Sequence, residues 1–465
     1  MQAIVNKSFN KYKNESKYRS MFLAYCSNRV YFSKTMKNIR DKLEALYSRS
    51  EPSQKSAETN KPIRRELDRI FQHKQDVKYF PKSQVEKENQ SISDIVHGSW
   101  INTYFGDIFR AEFEYPLCEP YGNLNLENIF TISGDIYHPV FEIKGPEHPQ
   151  ELLFIDTETT GLSGGTGTIA FMIGLGWVEN QHFVVHQYFI TQLSHEEGML
   201  ELIQKVLPNF RFIVSYNGKT FDIPLLNSRF VLNRMSLIFE NVPHIDLLHY
   251  TRTLWRYSME NCKLKTVETD LLGLYREDDI PGELIPDVYF DYLRNRRVDR
   301  IERIFYHNRF DIITMLANLI LVLKSYESHE PAENPMTDFA KGKLFTRKKD
   351  IERSLEHFQH VLNSRISDNR RQKTFLELAA LHKRQGNFKE AVELWKSAID
   401  PQFPFVLEPF EELAKYYEHH EKNLDEAVKI TEQALRELPV HRQQGKTNLE
   451  HRLTRLKTKL SRKKS

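Results

Sequence analysis

Two carboxylates, Asp156 and Glu158, stand at the end of the apolar run Leu152-Leu153-Phe154-Ile155. Such a run reads as a strand buried on both faces. Side chains of an extended chain repeat every two residues, so Asp156 and Glu158 fall on one side of it. Carboxylates placed that close repel each other and stay ionised cheaply only with a cation between them. Hard oxygen ligands of this kind suit Mg²⁺ or Mn²⁺. The glycine-rich SGGTG at 163–167 lets the backbone approach a ligand closely. The plain alternative is a strand ending in a turn, since Asp and Thr are ordinary turn residues.

Three more residues have types and positions that can join this chemistry. Asp222 closes the segment YNGKTFD and precedes a helix predicted over 223–235, where it could serve only as an N-cap. In the segment 305–323, Ile312, Leu316, Leu319, Ile320 and Leu323 make a strong apolar helical face. His307 and Asp311 are four apart and share one side of that helix. They form either a surface ion pair or a general base beside a metal ligand.

These acids need a scaffold, and the intervening sequence supplies one. Strands are predicted over 168–178 and 182–190, joined by the turn Glu179-Asn180-Gln181. Ser194-His195-Glu196-Glu197 reads as a capping box opening a helix that Pro208 closes. Residues 212–215 form a further buried strand, and 243–248 hold a fifth, short one. Strand, strand, strand, helix, strand is the opening order of the ribonuclease-H-like fold, an α/β mixed sheet with helices on both faces. That domain is expected over 151–326.

The rest of the 465 residues divides around it. Residues 1–90 are expected as a basic, partly disordered arm with short helices at 36–48 and 61–71; Met36 is an alternative start. Residues 91–150, rich in aromatic and β-branched side chains, are expected as a β-rich lead-in sheet. Residues 327–345 read as a linker. In 346–465, FLELAALHKRQGNFKEAVELWKSAI and FEELAKYYEHHEKNLDEAVKITEQAL match at a shift of 35–36 residues. Each is a helical hairpin with small Ala positions where helices meet, and this looks like tetratricopeptide repeats. Thr447-Asn448-Leu449-Glu450 reads as the capping box of a basic closing helix.

With 66 basic and 63 acidic residues the net charge is only +3, so any basic surface is local. Three scattered cysteines without a CxxC pair argue against a zinc ribbon or a disulfide scaffold and fit a reducing cytosol. No apolar run approaches the roughly 18–20 residues of a membrane span, and the first residues carry no apolar signal region. A cytoplasmic protein is expected.

The acids in their contexts, DTETTGL, YNGKTFDIPLL and HNRFD, resemble the motifs of the DEDD 3′–5′ exonucleases of the ribonuclease-H-like superfamily. GTGTIAFMIGLG, CKLKTVETDLLGL and REDDIPGELIPDVYFDYL are similar to the bacterial YprB-type group, which pairs such a domain with tetratricopeptide repeats. The resemblance covers about residues 91–435. It implies a two-metal hydrolysis of phosphodiester bonds at the 3′ end of single-stranded nucleic acid. Asp156, Glu158, Asp222 and Asp311 would hold two Mg²⁺ or Mn²⁺ ions. Thr159, Gly161, Leu162, Asn217, Lys219 and Phe221, with the Gly164–Gly167 loop, would hold the terminal nucleotide. Lys263, Lys265, Arg294, Arg296 and Arg297 are candidates for backbone phosphates, or simply a solvated charged face.

The base in the histidine subclass stands five residues before the last Asp, and in the tyrosine subclass a Tyr stands four before. Here Tyr306 is five before and His307 four before. His307 is favoured because imidazole titrates near neutral pH, with Tyr306 the alternative. A competing reading is an inactive nucleic-acid-binding or scaffolding protein that recruits partners through its repeats. Against it, a scaffold has no reason to keep four mutually repelling carboxylates. DNA and RNA both remain open as substrates.

Overall fold

A computed structural model of the chain describes residues 91–161, 167–277, 279–439 and 443–464. The expectations for residues 1–90, for Leu162 and for Gly164 and Gly165 lie outside the described residues. Seven strands share one sheet: β1 (Gly98–Thr103), β2 (Gly106–Pro116), β3 (Leu152–Thr159), β4 (Ala170–Glu179), β5 (His182–Ile190), β6 (Phe212–Ser215) and β7 (His244–Asp246). Their order is β1-β2-β5-β4-β3-β6-β7. Neighbours among the first five are antiparallel, and β3, β6 and β7 run parallel.

The apolar run of β3 explains its place at the centre. Leu152 and Phe154 are buried in the core on one face of the sheet, Leu153 and Ile155 in the core on the other. That alternation carries Asp156 and Glu158 out on the Leu152 face. β4 and β5 join through Asn180 and Gln181, both left-handed (φ 48° and 64°), the two-residue turn that matches strand twist.

Among the described residues, five helices of nine residues or more complete the domain: α1 (Glu196–Val206), α2 (Asp222–Leu232), α3 (Leu247–Trp255), α4 (Ile285–Asn295) and α5 (Ile301–Glu327). α5 packs on β3, β4 and β5. Two glycines of β4 make this possible. Gly174 pairs with Asp156 and Gly176 with Phe154. A Cβ on Gly174 would lie 2.2 Å from Asn308 Oδ1 and 2.3 Å from Ile312 Cδ1, both on α5. α5 therefore lies directly on the sheet at the level of Asp156.

Several local expectations are corrected. β1 and β2 form no sheet of their own but extend the central sheet through β5. Residues 126–141, read as strand-like, form 3₁₀ turns and one short helix. The Ser194 capping box does not form: Ser194 lies inside a 3₁₀ turn over Leu193–His195 that leads into α1, so it is not at the N-cap. Thr447–Glu450 lies inside a longer helix rather than at its start.

Seven helices follow: α6 (Pro335–Lys348), α7 (Ile351–Asn363), α8 (Asp368–Gln385), α9 (Phe388–Ala398), α10 (Leu407–His419), α11 (Leu424–Glu437) and α12 (Gln443–Lys464). They pack as successive pairs α6/α7, α8/α9 and α10/α11, with α12 against α11. Ala379, Ala391, Leu413 and Ala427 meet in one core, where small residues let helices approach. The expected linker 327–345 is mostly helix, since α6 begins at Pro335.

Candidate active site

Asp156 is held by neutral groups. Asn308 Nδ2 donates to Asp156 Oδ2 at 2.7 Å. Asn308 is fully buried, and its Oδ1 accepts from Gln187 Nε2 at 2.7 Å. Gln187 Nε2 also donates to Phe305 O at 2.9 Å, so β5 and α5 together orient Asn308. Thr157 Oγ1 donates to Asp222 Oδ1 at 2.5 Å, tying the end of β3 to the first residue of α2. Asp222 therefore faces the site and does not cap its helix.

The loop before α2 is organised by Asp246, which is buried at the end of β7. Asp246 Oδ1 caps α3 through Leu248 N at 3.1 Å and accepts from Asn217 N at 2.8 Å. Its Oδ2 accepts from Lys219 N at 3.1 Å. Asn217 takes a left-handed φ of 70°, which Asn tolerates. The Lys219 side chain is exposed and the Phe221 ring is 50% exposed beside Asp222.

Asp311 and His307 lie on one side of α5, with His307 Nε2 3.6 Å from Asp311 Oδ2. The other ring nitrogen, Nδ1, is 2.8 Å from Asp279 Oδ1. Asp279 is thus the group that fixes the imidazole, leaving Nε2 toward the acids. Tyr306 points away, its ring 4.3 Å from that of Phe310. A one-residue step on an α-helix is about 100°, which separates the two candidates for the base. The Arg276 guanidinium pairs with Asp311 and holds Glu268 through two bonds of 2.6 Å. Glu268 also accepts from Thr314, which bonds Tyr121 OH at 2.9 Å.

Electrostatics at the site are dominated by burial and like charge. Burial, then Asp222 and Asp311, push the Asp156 carboxyl well above the usual carboxylate range. Burial, then Asp156, Asp311, Asp222 and Asp279, do the same to Glu158. Burial raises Asp222 to about 6 against its bonds from Thr157. For His307 burial favours the neutral ring, but Asp311 and Asp279 outweigh it and the pKa rises.

The donor set is all oxygen, and its repulsion is what a divalent cation relieves. Among the described residues, no three of these acids bring donor atoms within 4.8 Å of one another. Asp311 is drawn to Arg276 and Asp222 to Thr157. An open arrangement suits Mg²⁺, which keeps several waters and takes one or two carboxylates rather than a protein cage.

The remaining expected residues are dispersed. Thr159 Oγ1 donates to Gly161 O at 2.8 Å, shaping the turn after β3. Lys263 and Lys265 are exposed, and Lys265 Nζ is 3.7 Å from Asp279. Arg294 and Arg296 donate to the backbone carbonyls of Phe290 and Thr191, and Arg297 pairs with Asp299. Sequence reasoning missed Asn308, Gln187, Asp246, Arg276, Glu268 and Asp279. A helical wheel could have found Asn308, three residues before Asp311. Nothing local marks the others.

Residues 153–321 match a family model described as the RNase_H superfamily. The chain is 31% identical over 363 residues to YprB of Bacillus subtilis (strain 168), covering 75% of this chain and 86% of that protein. Among solved structures, the family B DNA polymerase of the hyperthermophilic archaeon Pyrobaculum calidifontis is similar with a TM-score of 0.31 and 14% identity. That match covers 52% of this chain and 30% of the polymerase chain. A likeness that slight carries no argument about activity.

Proposed function

The chain belongs to the family of YprB, and from that premise we propose that it is a metal-dependent 3′–5′ exonuclease acting on single-stranded nucleic acid. The observation that carries this reading is that Asp156 and Glu158 are buried within the field of Asp222 and Asp311, each carboxylate disfavouring ionisation of the others, beside His307, whose Nε2 lies 3.6 Å from Asp311 Oδ2.

Asp156, Glu158, Asp222 and Asp311 hold divalent ions, Mg²⁺ or Mn²⁺, in this reading. Bound there, the ions supply a nucleophilic hydroxide from water and stabilise the leaving oxygen. The protein's own part is positional. Asn308 and Gln187 keep Asp156 fixed, and Thr157 keeps Asp222. His307 gives its Nδ1–H to Asp279, so Nε2 is the acceptor that takes the proton of the attacking water. The Asn217–Lys219 backbone, pinned by Asp246, and the half-exposed Phe221 ring offer a seat for the terminal nucleotide. The paired C-terminal helices offer a surface for a protein partner.

One observation favours the scaffold reading: Arg276 already neutralises Asp311. The discriminating experiment is hydrolysis of 5′-labelled single-stranded DNA and RNA with Mn²⁺, Mg²⁺ or EDTA, with Asp156→Ala alongside. A metal-dependent ladder shortening from the 3′ end, absent in the variant, is expected. Retained binding of either oligonucleotide without cleavage would move the weight to the scaffold.

A further inference from the structure

A second cluster of metal-ligating side chains lies away from the four acids, where α6 and α7 meet. Asp338 on α6 is buried, and so is His357 on α7; His360, one turn further along α7, has a side chain 24% exposed. Asp338 Oδ1 lies 2.8 Å from His357 Nδ1 and 3.8 Å from His360 Nδ1. One donor atom from each of the three lies within 4.8 Å of the others, and no other such group occurs among the described residues. We infer that Asp338, His357 and His360 form a binding site for a transition-metal ion of the Zn²⁺ type.

Geometry is the first argument. A tetrahedral ion with arms of about 2.0–2.2 Å sets its donors about 3.3–3.6 Å apart. The two measured separations bracket that spacing. The second argument is an orphan. His360 Nδ1 is buried and has no hydrogen-bond partner, and 3.8 Å is too far for a bond to Asp338. His357 Nε2 is unpartnered too, so neither ring has both nitrogens satisfied. An unpaired buried polar atom is destabilising, and an ion between the three residues gives His360 Nδ1 its partner.

The surroundings orient the ligands as metal sites require. Ala332 N donates to Asp338 Oδ2 at 2.8 Å, fixing the carboxylate. The His357 ring stacks on Phe345 at 5.4 Å and 11°. Two imidazoles and one carboxylate select Zn²⁺, Co²⁺ or Ni²⁺ over Mg²⁺ and Ca²⁺. Lys341 is the opposing charge: it is buried nearby and gives its Nζ to Ser328 O at 2.8 Å. Its ammonium weakens cation binding relative to a site without it.

The test is Co²⁺ titration of the chelator-treated full chain, read by visible absorption. One equivalent should give a saturable tetrahedral d–d band that Zn²⁺ displaces. The band should be lost in His360→Ala and retained in Asp156→Ala, which separates this site from the exonuclease proposal. His360→Gln, closer in size, repeats the test should the alanine variant unfold by circular dichroism. No band at saturating Co²⁺, or an equal band in a folded His360 variant, overturns the inference.

Discussion

His307 and Tyr306 are adjacent in sequence, yet α5 turns only His307 toward Asp311. His307→Ala is therefore expected to lower turnover about 10²–10⁴-fold, the usual share of a general base. Tyr306→Phe should stay within a few-fold of wild type, since its ring packs on Phe310. Single-turnover rates with Mn²⁺ check both; the opposite pattern would reassign the base. Asp222 gives a prediction in pH. Its folded-state pKa is about 6, above its ordinary value of 3.8, so the folded protein holds this proton longer than the unfolded chain. The stabilising contribution is complete below pH 4 and is lost as pH rises through 6. For a shift of that size the loss is on the order of 2–3 kcal/mol. In EDTA, the melting temperature of wild type should fall relative to Asp222→Asn between pH 4 and 7. Parallel curves would contradict the assignment. At this scale the four acids and His307 stand out in the sequence as candidates, because each carries possible chemistry in its own type and spacing. Asp279, Asp246 and Arg276 were not, because their roles depend on which loop folds back against which strand.

Elements bring those residues to one place, and the clearest case is the contact of α5 with β4. Gly174→Ala puts a methyl 2.2 Å from Asn308 Oδ1. Neither neighbour can give way easily, since Asn308 and Ile312 are both fully buried on a packed helix. Overpacking of this kind costs about 1–3 kcal/mol. The variant should unfold at lower urea, and it should lose activity beyond that, because Asn308 carries Asp156. Full activity in a destabilised Gly174→Ala would detach Asn308 from the site. The strands themselves were readable as apolar runs with turn residues between them. Helix starts were read less well. Ser194-His195-Glu196-Glu197 has the letters of a capping box, but the chain enters α1 through a 3₁₀ turn that contains Ser194 and leaves His195 at the N-cap. A cap motif specifies letters and spacing, and here the backbone before the helix puts the serine one position too early.

The whole molecule from Ser91 onward packs as one unit, although the sequence suggested a sheet domain, a linker and a separate helical array. The error came from Pro335. It lies within the stretch 327–345 read as a linker, yet at the first position of a helix proline is favoured. Asn334 caps α6 by accepting from Met336 N at 2.9 Å, so helix resumes seven residues after α5 ends. α6 then lays Phe345 into the core that holds α3, α5 and one face of the sheet. Arg353 on α7 closes over it, 3.9 Å from the Phe345 ring, and donates to Tyr326 O at the end of α5. Phe345 is fully buried, and Phe→Ala at such a site costs about 3–5 kcal/mol. Because this residue belongs to both halves, the cost should fall on both. Wild type should unfold in one transition by circular dichroism and by tryptophan fluorescence, to which Trp100, Trp177 and Trp255 contribute from the sheet domain and Trp395 from α9. Phe345→Ala should move the two signals down together. A variant in which the helical pairs melt first while the sheet domain keeps its wild-type midpoint would show that the joint transmits no stability, and the two parts would then be independent bodies in contact.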